Sequence, residues 1–504
     1  MSYRVLLILI ALINFIAPLG FVPLFDLDEG AFSEATREMI QSGNYITTYL
    51  DGALRFDKPI LIYWLQAFSV KTFGLNEFAL RFPSAVAGLL WGFAIWSFTK
   101  KELGEKAAFF ATLFMLSALQ VNLIAKAAIA DSLLNLFIAT SLFAIWQFLE
   151  SKNRVYLYAS FALIALGTLT KGPVAIMIPL ITVAIYMGLK REFKEFFKII
   201  FNPIGILIFL AIALPWYYLE YLDQGQKFID GFFLKHNIGR FSSAMESHRG
   251  SIFYFIPVIL LGFLPFTSIL IKTLVKAKEI FSTNLGLFLI IWFAFVFIFF
   301  SLSGTKLPHY VVYGYTPLFI LMGAYSAKRF KEFALLDILP ILALYATLFA
   351  LPFFTNYMEL NNRYVEDIIK AIPLEFGGFY LSSIAIAFIL TIAIKYSKFS
   401  LKIKSVIIAL LFTILLNFVV IKAYANIAQQ PIKDAALYAK EHSLKPILYH
   451  ITKPSFLLYL NSKSLKEKPS KDKVILLKSK NLKDFKSYKI LYSKYGIYLI
   501  KLTK

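Results

Sequence analysis

The chain has 504 residues, 59% of them hydrophobic and 16% charged, and carries a formal charge of +22. Soluble domains run about 45–50% apolar and about 25% charged, so this composition describes a membrane-embedded chain whose length gives no count of soluble domains. There is no cysteine, which excludes disulfides, thiolate zinc sites and thiol nucleophiles.

Apolar runs of the ~20 residues that cross a bilayer occur at Val5–Leu24, Phe82–Phe98, Ala107–Ile124, Ser132–Leu149, Val155–Leu169, Pro173–Leu189 and Pro203–Tyr221. They continue at Ile252–Leu270, Leu285–Leu302, Val311–Ala327, Leu335–Phe354, Phe376–Ile394 and Val406–Ile421. The pattern predicts a polytopic α-helical membrane protein with about 13 transmembrane helices. The runs are continuous rather than alternating, which excludes a β-barrel. Val5–Leu24 follows Arg4 and lacks a small-residue cleavage site, so it reads as a retained helix and not a signal peptide.

Cations cluster in alternate connections: Lys100-Lys101, Lys152 and Arg154, Lys190-Arg191 with Lys194, Lys276 and Lys278, Lys328-Arg329 with Lys331, and Lys395, Lys398, Lys402 and Lys404. The positive-inside rule makes that side cytoplasmic, explains most of the net charge, and leaves no call for nucleic acid. An odd helix count then puts the N-terminus in the cytoplasm and the C-terminus outside. The long connections then lie on the outer face.

Residues 1–423 form the membrane domain on this reading, with long outer segments at 25–81 and 222–250, and 424–504 form a C-terminal periplasmic domain. In the first segment Phe32, Ala35 and Met39 recur at helical spacing, with Glu34, Arg37, Glu38 and Gln41 on the other faces and Gly43 as a stop. This predicts a short amphipathic helix lying in the interface, with Asp28 and Glu29 at its N-terminus. Two readings are open for these acids: a cap favoured by the helix dipole, or a carboxylate kept ionised for chemistry. Lys58, before Pro59, reads either as a snorkelling lysine or as a fixed cation for a lipid phosphate. Asp131, in Lys126-Ala-Ala-Ile-Ala-Asp131, is either a helix cap or a functional intramembrane acid.

Lys171-Gly172-Pro173 and Lys306-Leu307-Pro308-His309-Tyr310 put lysines on the outer side against the orientation bias, and binding an anion is the economical reason. Arg240 adds a guanidinium suited to bidentate phosphate recognition. The tail alternates short apolar runs at Ile447–Ile451, Val474–Leu477, Lys489–Tyr492 and Ile497–Leu502 with one helical pattern near Ile432–Glu441, which predicts a small α/β domain. Its lysines suit an accessory role or docking on anionic headgroups. The five histidines show no H-E-x-x-H pairing. Serine-nucleophile, P-loop and dinucleotide motifs are absent from the sequence.

Asp28-Glu29-Gly30 through Glu38-Met39, then Phe56-Asp57-Lys58-Pro59-Ile60-Leu61-Ile62-Tyr63-Trp64, resemble the first outer loop of the lipid A aminoarabinose transferase family. Gly74 to Phe78, Arg81 to Ser84, Thr170 to Pro173, Asn237 to Phe241, His248 to Gly250 and Lys306 to Tyr310 match in the same order, so the resemblance runs to about Pro317. These are GT-C glycosyltransferases, related more distantly to protein O-mannosyltransferases. The resemblance implies a GT-C fold and transfer of a sugar from a polyprenyl-phosphate donor to a glycolipid, lipid A-like or protein acceptor. It implies that Asp28 and Asp131 are the catalytic acids, that Lys58, Arg240 and Tyr310 hold the donor phosphate, and that transfer occurs on the periplasmic face of a bacterial inner membrane; Glu29 beside Asp28 joins the catalytic candidates, and the outer-side lysines Lys306 and Lys171 join the phosphate candidates. Asp57 stands where the family commonly has glutamate, and Arg55 where it has an aromatic. No ligand spacing demands a metal, although Asp28 and Asp131 are acids of the kind that hold Mg²⁺ or Mn²⁺. A transporter or flippase of lipid-linked sugar is the competing class; it is disfavoured because the ionisable groups collect at helix ends and no internal repeat is evident.

Overall fold

The computed structural model describes residues 3–239, 250–276, 278–279, 282–355 and 362–503. Every one of the thirteen apolar runs is helical at its predicted place. Among the described residues, seven helices are long and apolar enough to cross a membrane, or eight if a bent pair counts as one span. The protein is a multi-pass membrane protein.

Of the runs that fall outside this set, the fifth forms one unbroken helix, Arg154–Lys171, and the others are shorter or broken. The first stops at Ile16, and Val174–Leu189 is likewise short. The third breaks at Ala118 into Glu105–Ser117 and Leu119–Ile124. The eighth folds back by 118° between Phe255–Gly262 and Thr267–Val275. The tenth opens with the 3₁₀ turn Pro308–Gly314 before the helix Tyr315–Lys328. Trp292 sets that turn: its indole N–H donates to the Tyr313 carbonyl at 2.8 Å. Trp91 likewise donates to the Thr316 hydroxyl at 2.8 Å, so two fully buried indoles fix the segment that carries His309, Tyr310 and Tyr313.

The predicted helix of the first segment spans Asp28–Ser42, and Gly43 ends it in the left-handed conformation (φ 70°). It does not lie in the interface as an exposed amphipathic helix. Glu34, Arg37 and Glu38 are buried along with Phe32, Ala35 and Met39. The apolar stripe packs on Ile60, Tyr63, Trp216 and Phe228. Its polar side is covered by the tail, where Lys463 approaches Glu38 at 3.6 Å and Gln41 donates to Asn461 at 3.0 Å.

The tail builds a four-stranded sheet in the order β1-β2-β4-β3, with β1 Ile447–Leu448, β2 Val474–Lys478, β3 Tyr488–Lys494 and β4 Ile497–Leu502. β1 runs parallel to β2 and the other pairs are antiparallel. Alternation along the strands fills two small cores: Val474, Leu476, Ile497 and Leu499 pack with the helices Gln430–Glu441 and Pro454–Leu460, while Ile475, Leu477, Ile500 and Leu502 pack on the other face. The helix Pro454–Leu460 and the amphipathic helix Arg363–Glu375 were not anticipated from the sequence.

Candidate active site

Asp131 opens the helix Asp131–Ser151, but it does not cap it; the N-cap is Ala130 and no side-chain cap bond forms. Its Oδ1 instead accepts from Lys171 Nζ at 2.7 Å and from the Tyr313 hydroxyl at 2.6 Å, with His309 Nε2 at 3.9 Å. Lys171 ends the following helix, Arg154–Lys171, and also donates to the Tyr313 hydroxyl at 2.6 Å. Its ammonium lies 5.6 Å from the Tyr310 ring centre. Both members of the pair are nearly inaccessible, so each depends on the other for its charge.

A second charge cluster stands on the first segment. Asp57 Oδ1 meets His236 Nε2 at 2.8 Å, and its Oδ2 meets the Arg55 guanidinium at 3.1 Å. Lys58 Nζ donates to the Asp57 carbonyl at 3.0 Å. Burial pushes the Asp57 carboxyl up, but the His236 hydrogen bond and the charges of Arg55 and Lys58 outweigh it and hold the group well below the usual carboxylate range.

Between the two clusters lies a cavity of about 200 Å³, lined by Lys58, Lys171, Tyr310 and Tyr313 on its polar side and by Val174, Met177, Phe299 and Phe300 on its apolar side. A charged corner beside an apolar wall suits an anion carried on a hydrocarbon chain. His309 sits within electrostatic reach of Asp131, Lys171, Asp28 and Lys58 at once. Burial, with the repulsion of the two lysines, pushes its imidazole down from 6.5 to about 4, against the pull of the two acids. The ring is therefore neutral at pH 7. Because the folded value lies below the unfolded one, the unfolded chain takes up the proton first. Stability should then fall as pH drops from about 6.5 towards 4. His309→Gln should show a smaller loss of melting temperature between pH 7 and pH 5 than the wild type; an unchanged loss would place the acid sensitivity elsewhere.

Asp28 begins its helix after Leu27, which is the N-cap with no side-chain bond, so capping does not occupy the Asp28 carboxylate either. The residue is exposed and acts electrostatically on both His309 and Arg55. Its neighbour behaves differently. Glu29, expected to be catalytic, is buried and fully engaged: Arg81 Nε and Nη2 each bond it at 2.8 Å, and it also accepts the Ala128 amide at 2.7 Å and the Phe25 amide at 2.8 Å. These bonds make Glu29 an anchor that ties the first segment to the stretch leading into Asp131. Lys306 is bonded to its own loop. Its ammonium donates to the Ser303 carbonyl at 2.7 Å, and it does not line the cavity. Arg240 lies outside the described residues, as does the expected motif at His248-Arg249.

The structure thus brings Asp131, Lys171, Lys58 and Tyr310 together, with Asp28 acting on the same histidine. Sequence reasoning missed His236, His309 and Tyr313 as site residues. His309 and Tyr313 sit in or next to the Lys306–Tyr310 motif, so their proximity in sequence was the available signal; nothing local marks His236. Among the described residues no three His, Cys, Asp or Glu side chains are grouped to hold a metal ion. For Asp131, one of the two acids considered for Mg²⁺ or Mn²⁺, Lys171 already supplies the countercharge.

Helical spans, a carboxylate-bearing first loop and a cation-lined cavity at one end of the bundle define a GT-C-type membrane protein. The backbone superposes on the crystal structure of ArnT from Cupriavidus metallidurans bound to undecaprenyl phosphate with a TM-score of 0.83, covering 99% of this chain and 97% of that one at 20% identity. A family profile described as dolichyl-phosphate-mannose-protein mannosyltransferase matches residues 57–219. An undecaprenyl phosphate-alpha-4-amino-4-deoxy-L-arabinose arabinosyl transferase of Yersinia enterocolitica is 32% identical over 331 residues, which is 64% of this chain and 59% of that protein. An uncharacterised protein of Aquifex aeolicus is 30% identical over 65% of this chain and 74% of its own length. The chain is thus related to the Aquifex aeolicus protein over most of that protein's length and is similar to the arabinosyl transferase over part of its length. Its match spans less than two thirds of the length of the Yersinia relative.

Proposed function

We propose that this protein is a polyprenyl-phosphate-sugar-dependent glycosyltransferase working at the periplasmic face of a bacterial inner membrane. The observation that carries the reading is the cavity in which Lys58 and Tyr310 face an apolar wall beside the Asp131–Lys171–Tyr313 cluster. The donor's phosphate fits the charged corner and its isoprenoid chain fits the wall of Phe299, Phe300, Val174 and Met177. The orientation is supported by the lysine-rich connections at the opposite helix ends.

In the reaction an acceptor oxygen attacks the anomeric carbon of the sugar. The bond from that carbon to the phosphate oxygen breaks, and polyprenyl phosphate leaves with one more negative charge. Lys58 offsets that developing charge, Tyr310 donates a hydrogen bond, and Arg240 completes the phosphate set in this reading. Lys171 holds Asp131 and so shapes the pocket floor, rather than meeting the phosphate alone. Asp28 takes the proton when the acceptor is a hydroxyl. When the acceptor is a phosphate the nucleophile is already anionic, and Asp28 then holds an amino sugar or positions the acceptor.

The test is transfer in vitro: purified protein in nanodiscs, a radiolabelled polyprenyl-phosphate aminopentose, and lipid A or a periplasmic protein as acceptor. Label recovered in glycolipid supports the principal reading; label in protein points to an O-mannosyltransferase-like acceptor. Movement of intact donor across the bilayer without covalent transfer overturns the enzyme. Lys58→Ala should weaken donor affinity by roughly 10–100-fold, the worth of one hydrogen bond to a charged group. Wild-type binding of polyprenyl phosphate by that variant would remove Lys58 from the phosphate site.

A further inference from the structure

Asp28 is flanked by two tethers that lead to different parts of the molecule. On one side Glu29 is bound to Arg81 of the membrane domain. On the other side Asp26, its carboxylate buried, accepts the Ser455 amide at 2.9 Å and the Ser455 hydroxyl at 2.5 Å, with Lys453 Nζ at 3.9 Å. Two residues earlier the Leu24 amide donates to the Tyr459 hydroxyl at 2.8 Å. That hydroxyl in turn donates to Glu77 at 3.0 Å, and Lys433 bridges to the same carboxylate at 2.5 Å. Ser455 and Tyr459 both belong to the tail helix Pro454–Leu460. The approach is close enough that Gly30 has no room for a side chain: a Cβ there would stand 2.2 Å from Asp26 Oδ1 and 2.7 Å from the Ser455 amide nitrogen.

We propose that the C-terminal sheet domain is a working part of the active site: Ser455 is a positioning residue that, through Asp26, sets where Asp28 presents its carboxylate. This rests on the reading of Asp28 as the catalytic acid. The geometry distributes labour along one short stretch of chain. Asp26 and Glu29 are buried and spent on neighbours, whereas Asp28 between them is exposed and carries no side-chain cap. A carboxylate held on both flanks by different bodies is oriented by their relative placement, and a misplacement of about 1 Å costs up to ~10²-fold in rate. A tail that served only to dock the protein on headgroups would need none of these contacts with the first segment.

The experiment compares full-length wild type, Ser455→Ala, Ser455→Thr and Asp28→Asn in nanodiscs, measuring kcat, donor affinity and hydrogen exchange of residues 24–31. Ser455→Ala should lower kcat by roughly 10–100-fold, leave donor affinity within about twofold, and speed exchange in 24–31. Ser455→Thr, which keeps the hydroxyl, should restore most of the turnover. Wild-type kcat in Ser455→Ala alongside an inactive Asp28→Asn overturns the tail's part while leaving the acid in place. A parallel fall of kcat and donor affinity, with exchange raised throughout the tail, also overturns it, because it reports general loosening. Wild-type turnover in Asp28→Asn overturns the reading of the acid itself, and the proposal with it.

Discussion

Asp28→Asn should lower sugar transfer by about 10²–10⁴-fold, the range of a lost general base, while donor affinity stays at the wild-type level. The argument is one of division of roles. In the proposed reaction the donor phosphate meets Lys58 and Tyr310, which line the cavity, whereas Asp28 sits at the start of its helix with an exposed, uncapped carboxylate and acts on His309 and Arg55. The amide is isosteric and leaves the side-chain tethers of Asp26 and Glu29 untouched, so the fold should survive and only the charge is lost. Rapid mixing with saturating donor separates chemistry from binding. An Asn variant that transfers sugar at the wild-type rate would return Asp28 to a helix-end residue.

Asp131→Asn should cost about 3–5 kcal/mol of stability, because it leaves the Lys171 ammonium buried without a countercharge. Lys171 has few other partners: the Tyr313 hydroxyl at 2.6 Å and two aromatic rings. Neither supplies a negative charge. Lys171→Met should be comparably destabilising on its own, since it strands the carboxylate. The double variant Asp131→Asn with Lys171→Met should recover part of the loss, and the difference measures their coupling. Melting of the detergent-solubilised protein, followed for the two single variants and the double, closes the cycle. Strict additivity would show that the pair is held by its surroundings and not by each partner.

What the sequence made legible follows from how each interaction is encoded. Hydrophobic runs are local, so all thirteen helical stretches and the four tail strands stand near their predicted places. Breaks inside a run are passed over by a reading of composition, which averages across them. The chain parts at Ala118, where no helix breaker stands, and it reverses between Gly262 and Thr267, where Pro265 stands inside the apolar run. The helix Pro454–Leu460 is only seven residues long, below the length at which helical spacing can be told from a short apolar strand. The site shows the same division. Lys171 was noticed because an outer-side lysine needs an anion, and it has one; the anion is Asp131 of its own chain, 40 residues away. Glu29 looked like Asp28's equal because they are adjacent in sequence. Only the fold shows that its partner is Arg81, 52 residues on, and that one acid is therefore buried while the other is exposed.

The Leu24–Tyr459 bond joins residues 435 positions apart. At about 5–20 residues per second, a ribosome takes roughly 20–90 s to make that interval. Throughout that time the first loop stands without the helix that completes it, and the Asp26 carboxylate lacks the Ser455 amide and hydroxyl that it accepts. On the proposed role of the tail, activity is therefore an event at the end of synthesis. A nascent chain with every membrane helix in place still lacks the seat for its acid, and a chain cut short before Pro454 should insert normally and transfer nothing.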